Sequence, residues 1–168
     1  MSQAEAPTTQ LELSINCSYF SHDLKESVNR RVFTILVFFQ LLLGSAVMGK
    51  AFNPIILGLL IAVISAAQAA FKFSDAAAKN RASKIGYSKL RDLIHGNDND
   101  FKIFCDVQER YNDELSREAH ISSTYSMIGQ QCAYIKLGWK DRVTLTKWHK
   151  FIAFFGGTTQ IFENKSHQ

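Results

Sequence analysis

Gln40, Ser45, Ser65 and Gln68 stand as polar intruders in a long apolar run, Val32 to Phe73, and they are the residues whose setting gives them chemical work. A carboxamide or hydroxyl among hydrocarbon side chains must find a hydrogen-bond partner or lose several kcal/mol, roughly 2–7 by transfer measures. That work is hydrogen bonding and hydration, not bond breaking. These four either bond across to a neighbouring helix or line an aqueous path in an oligomer.

Residues with catalytic or ligating potential do not assemble. His22, His95, His120, His149 and His167 fall on different predicted elements, with no HExxH or comparable ligand spacing. Cys17, Cys105 and Cys132 are odd in number and widely spaced, which reads as reduced thiols and not a disulfide framework or zinc site. A GxxxxGK[ST] loop, a GxGxxG fingerprint and a GxSxG elbow are all missing, and Gly156-Gly157 reads as a helix breaker. Acidic residues mostly neighbour basic ones on helix faces and read as solvated surface. No metal, cofactor or enzymatic role is expected.

The element that must position the polar four is the apolar run itself. Between Arg31 and Lys72 its one charged residue is Lys50, beside Asn53 and Pro54. Each arm is near the ~20 residues that cross a ~30 Å hydrocarbon core, and a lone hairpin in lipid must be helical to pair its backbone. The sequence predicts an all-α protein: a two-helix transmembrane hairpin with helical cytosolic extensions. Its segments are an N-terminal tail and amphipathic helix (1–31), a first span (32–50), a short external loop (51–54), a second span (55–73), a cytosolic helical region (74–138) and a basic-aromatic tail (139–168). The rival, two core helices of a soluble bundle, conflicts with Phe38, Phe39, Leu41, Leu42 and Leu43 surrounding the first helix without a polar stripe.

At 168 residues, net charge +4 and pI near 9.0, the chain is basic enough to suggest nucleic acid, yet its cations flank the apolar block. Lys25, Arg30 and Arg31 precede it, and Lys72, Lys79, Arg81, Lys84, Lys89 and Arg91 follow it. Membrane orientation accounts for them: both termini are expected in the cytoplasm. Glu5, the lack of an N-terminal basic cluster and the late start of the run read as a retained anchor and not a signal peptide. In the second span Gly58, Ala62, Ala66 and Ala70 form a ridge of small side chains, suited either to packing on the first span or to self-association.

Residues 1 to about 10 show no periodicity and read as a tail. Phe20, Leu24 and Val28 mark an amphipathic helix entering the first span, with Arg30 and Arg31 at the water boundary. Beyond Phe73 nothing obliges the helix to stop, and Tyr87, Leu90 and Ile94 mark an apolar face expected to hold the cytosolic helices together. His95, Gly96 and the Asn-Asp run end it. Helices over 101–118 and from the Ser122–Thr124 cap to about Gly138 follow. The tail, with Trp148, Phe151, Ile152, Phe154 and Phe155 beside Lys147, His149 and Lys150, suits a headgroup-level helix or a docking contact to the cytosolic helices.

Two stretches carry a resemblance. The segment Ala78 to Ile94, with Arg81, Tyr87 and the Leu90-Arg91 pair, resembles the post-membrane helix of the SLATT family, two-transmembrane effector domains of prokaryotic conflict systems; Asn80 stands where that family often has histidine. Glu114-Leu115 followed by Ala119 to Ser122 is similar to its later helical break, without the usual proline. The resemblance spans about residues 15–138 and is one of pattern.

It implies an inner-membrane, pore-forming effector, a toxin of antiviral defence that causes abortive infection once a separate sensor releases it. That sensor would be a reverse transcriptase with its RNA and DNA, as in some retrons, or a nucleotide-signalling enzyme. Direct sequence-specific nucleic-acid binding is not expected; membrane lipid and further copies of the chain are. On this reading Lys72, Lys79, Arg81, Lys84, Tyr87, Leu90 and Arg91 form a cytosolic collar below the spans. The alternatives are a membrane adaptor tethering a cytosolic partner, a holin-like lysis protein, for which the cytosolic half is large, and last a lipid enzyme, for want of an acid, base or nucleophile cluster.

Overall fold

A computed structural model describes residues 7–49, 53–95, 101–118, 121–139 and 142–158. Six helices appear among them: α1 (Pro7–Met48), α2 (Pro54–Phe71), α3 (Phe73–His95), α4 (Phe101–Arg117), α5 (Ser123–Lys136) and α6 (Lys147–Gly156). The protein is all-α, and α1 with α2 forms an apolar helical hairpin. Lys50, the Asn-Asp run at 97–100, Ala119, His120 and His167 lie outside the described residues.

The first helix is longer than the sequence reading allowed. It starts at Pro7, within the expected tail, and passes Arg30 and Arg31 without a break for 42 residues. Its chemistry explains this: proline is favoured in a first turn, and neither glycine nor proline recurs before Gly44. Amphipathic helix and first span are therefore one rod. Asn53 starts α2 by accepting from the Ile55 N–H at 3.0 Å, with Pro54 in the first turn.

The second arm does break. Lys72 adopts a left-handed conformation (φ 46°, ψ 45°) between α2 and α3, so the second span ends at Phe71 and the helix expected to run on past Phe73 restarts there. The joint stays bonded, Lys72 N–H to Gln68 O at 3.0 Å and Ala76 N–H to Lys72 O at 2.9 Å.

α1 is the spine against which every other helix packs. Its first half carries two apolar clusters. Leu11 and Ile15 meet Tyr87, Leu90 and Val107 from α3 and α4, with Ile94, Phe104 and Tyr111 around them. One side over, Leu24 meets Ile128, Cys132 and Ala153 from α5 and α6. Fully burying side chains such as Ile15 or Ile128 contributes about 1.5–3 kcal/mol each.

Beyond Arg31, α1 packs on α2 and is otherwise largely bare. Phe38, Leu41, Ile55, Leu59 and Val63 are each more than half exposed. Both arms are long and apolar enough to cross a membrane, with best-window mean hydropathies of 1.9 and 2.2, and almost nothing in those windows is buried within the chain. Core helices of a soluble bundle bury such side chains, whereas here the chain leaves them bare.

Candidate functional site

Within the hairpin, antiparallel packing brings Gln40 opposite Ser65, and the Gln40 Nε2 donates to Ser65 Oγ at 2.9 Å. Ser65 in turn donates to the Ile61 carbonyl at 2.8 Å. Gln40 sits halfway between Val32 and Met48, so this polar pair lies at mid-length of the first arm. Ser65 is exposed and Gln40 half-buried, so the pair shows on the hairpin's flank. Gln68 faces inward instead, its Nε2 buried without a hydrogen-bond partner. Ser45 bonds back within its own helix, donating to Leu41 O at 2.9 Å.

The small-residue ridge faces outward. Gly58, Ala62, Ala66 and Ala70 are all exposed, and a Cβ on Gly58 would meet nothing within 4 Å. It does not pack on the first arm; Leu57, with half-buried Ile61 and Ile64, fills that role. Ser65, three residues after Ala62, falls at the ridge's edge, so ridge and polar pair share one flank.

At the root of the hairpin lies a polar cluster that the sequence did not announce. His22 is fully buried; its Nδ1 lies 2.9 Å from Asn80 Oδ1 and its Nε2 2.8 Å from Glu118 Oε1. Asn80 Nδ2 donates to Ala76 O at 2.6 Å, which fixes the amide and turns its oxygen to the ring. Tyr87 donates to Glu118 Oε2 at 2.7 Å and stacks on His22, ring centroids 5.6 Å apart. Both imidazole nitrogens thus face side-chain oxygens. Burial alone would raise the Glu118 pKa, but hydrogen bonds from His22 and Tyr87, with the charges of His22 and Lys25, outweigh it and hold the carboxyl below its ordinary value. Tyr87 shifts the opposite way, pushed well up by burial and by the Glu118 carboxylate.

The cluster ties three elements together: α1 through His22, α3 through Asn80 and Tyr87, and the α4–α5 connection through Glu118. It also corrects the reading of acidic residues as solvated surface, because Glu118 is largely enclosed and Glu26 is buried. The one advance signal was the Asn80 and Tyr87 pattern on the post-hairpin helix. His22 and Glu118 are 96 residues apart, and nothing local in the sequence pairs them.

The expected collar divides. Lys72, Lys79 and Arg81 are exposed. Lys84 bridges Asp23 at 2.7 Å and Glu26 at 3.1 Å on α1; burial would lower its pKa, but those two carboxylates raise it overall. Arg91 covers the Tyr19 ring at 4.6 Å. Tyr87 and Leu90 are core. The collar is therefore a three-cation surface above an internal brace, because the α3 face carrying Lys84, Tyr87 and Arg91 is the one α1 covers.

Beside Glu118 opens a cleft of about 460 Å³ lined by Cys17, Ser18, Ser21, Leu115, Ile121 and Ser126. Burial pushes the Cys17 thiol up to about 11, so it stays protonated at neutral pH, and the Ser21 hydroxyl is engaged with the Cys17 and Tyr125 carbonyls. Among the described residues no three His, Cys, Asp or Glu side chains are grouped to hold a metal ion.

The last helix docks on α1. Ala153 and Gly156 are buried, and a Cβ on Gly156 would collide with Leu24 and approach Val28 at 3.4 Å. Arg31 donates to the Phe155 carbonyl at the end of α6. Thr146 and His149 form a reciprocal cap at its start, and Gly157 ends it in a left-handed conformation (φ 85°). Compared with family models, with curated proteins and with solved structures, the chain finds no match.

Proposed function

We propose that the chain is a membrane effector whose α1–α2 hairpin crosses a bacterial inner membrane with both termini in the cytoplasm, and whose copies assemble through the outward flank of α2 to permeabilise it. The observation that carries the proposal is the mid-span Gln40–Ser65 pair, whose exposed Ser65 lies on the same flank as Gly58, Ala62, Ala66 and Ala70. A polar pair facing hydrocarbon is unfavourable, and a small-residue surface is where helices approach closely in lipid. Assembly through that flank removes both from lipid and places Gln40 and Ser65 along a shared polar path.

The similarity of the Ala78–Ile94 stretch to SLATT proteins supports a role in antiviral defence by abortive infection, under control of a separate sensor. In that role the exposed Lys72, Lys79 and Arg81 stand where a regulator meets the base of the path.

Purified protein in sealed vesicles tests this. Wild type is expected to release trapped ions or small dyes once assembled, and Gln40→Leu with Ser65→Ala to insert equally but release far less. Intact vesicles at protein densities that give oligomers by crosslinking would overturn the pore and favour the tethering alternative, which needs insertion but no conductance.

A further inference from the structure

α6 has two apolar faces, and α1 uses only one. Ala153 and Gly156 are spent against Leu24 and Val28, while Trp148, Phe151 and Phe154 on the other side are 62%, 56% and 64% exposed. Trp148 stacks on Phe151 at 5.6 Å between centroids, and Phe151 on the half-buried Phe155 at 6.3 Å. Lys147 and Lys150 are exposed beside them. The end of α6 is bonded to Arg31, the last cation before the apolar run of α1, so the helix lies at the level where the hairpin surface turns from polar to apolar.

We propose that this outward face is a lipid-contacting surface: α6 rests in the headgroup layer of the membrane that the hairpin crosses, its rings against the glycerol region and Lys147 and Lys150 on anionic lipid phosphates. This rests on the membrane reading of the hairpin. Aromatic rings are favoured at the bilayer interface, and lysines extend their ammonium groups toward phosphate while their stems stay on apolar surface. A second copy of the chain fits less well. With roughly three fifths of each ring exposed, three rings of about 150–250 Å² offer about 270–450 Å² per copy and about 540–900 Å² over two, short of the roughly 1,200 Å² or more in total that stable protein interfaces bury. Lipid needs no such minimum, because the hairpin already holds α6 at the surface.

The test makes Trp148 the single tryptophan with Trp139→Phe and reconstitutes the full chain into vesicles of phosphatidylcholine with phosphatidylglycerol, brominated either near the headgroup or deep in the acyl chains. A control carries Phe38→Trp with both native tryptophans changed to phenylalanine. Trp148 is expected to be quenched strongly by the shallow bromines and weakly by the deep ones, and Phe38→Trp the reverse. With Lys147→Gln or Lys150→Gln, surface association falls roughly fivefold per lysine removed, read as more phosphatidylglycerol needed for half-maximal quenching.

Trp148 unquenched at both depths while the Phe38→Trp control is quenched overturns the α6 proposal alone. Trp148 shielded from aqueous iodide in a concentration-dependent way, but not quenched by lipid, also overturns it in favour of a second copy. Failure of the Phe38→Trp control to be quenched overturns the membrane reading as well.

Discussion

His22 Nε2 sits 2.8 Å from Glu118 Oε1, joining the first helix of the chain to the connection between its fourth and fifth helices, just below the point where the hairpin begins. With Asn80 on the other ring nitrogen and Tyr87 on the other carboxylate oxygen, every strong donor in the cluster has an acceptor. Such closed networks hold a single arrangement because any member removed leaves the next unpaired.

Glu118→Gln is therefore expected to lower the stability of the helical bundle outside the hairpin by roughly 1.5–3 kcal/mol, the range for hydrogen bonds to charged groups. His22→Gln should produce a loss of similar size. In the double variant the losses should fall well short of adding, as residues in direct contact do. Denaturant melts in mild detergent, followed by circular dichroism, measure the cycle, and full additivity would mean that the two side chains are not coupled.

Acid should act on the same contact. Because the folded protein holds the Glu118 pKa below its ordinary 4.5, the stability it contributes is complete above about that pH and is lost as pH falls through the folded value. The raised Tyr87 acts at the other end: its contribution is complete below its ordinary 10 and is lost as pH rises beyond it. A stability profile from pH 3 to 11 should thus fall at both ends, and Glu118→Gln should flatten the acid limb specifically.

Gly129→Ala should pry α5 from α1. An added Cβ would collide with Ser21 Oγ and come within 2.8 Å of the Cys17 carbonyl and 2.9 Å of the Ser21 nitrogen, and backbone atoms cannot step aside as a flexible side chain can. The expected loss is roughly 1–3 kcal/mol, typical of overpacking. Gly58→Ala, with open space around it, should leave the monomer's melting unchanged and weaken only association, as seen by crosslinking.

Lys72 carries the one positive φ among the described non-glycine residues. Since the left-handed region costs an L-residue roughly 1–2 kcal/mol, Lys72→Gly should raise the melting midpoint, and a β-branched Lys72→Val should lower it. Equal midpoints for all three would show that the α2–α3 joint is not held in that conformation.

What the sequence made legible was whatever repeats locally. The hairpin, the Tyr87 and Leu90 face and the α6 aromatics are written in runs of side chains at helical spacing, whereas which of the four polar residues pair across the arms depends on a register that the sequence does not write. The break at Lys72 was hidden because no glycine or proline marks it. Lys84 and Arg91 were expected in the collar because their partners, Asp23, Glu26 and Tyr19, lie on a helix distant in the chain. The His22 cluster stayed invisible for the same reason, compounded by the buried carboxylate being placed on a connection between helices.

The central claim is that the α1–α2 turn lies on the far side of a membrane from everything else, and thiol accessibility measures it most directly. In a chain with Cys17, Cys105 and Cys132 changed to alanine, Gly49→Cys should react with a bulky impermeant maleimide added to intact spheroplasts, while Thr9→Cys or Thr158→Cys should react only after lysis. Labelling of Thr9→Cys or Thr158→Cys from outside sealed cells, or recovery of the chain in the aqueous fraction without detergent, would contradict the account.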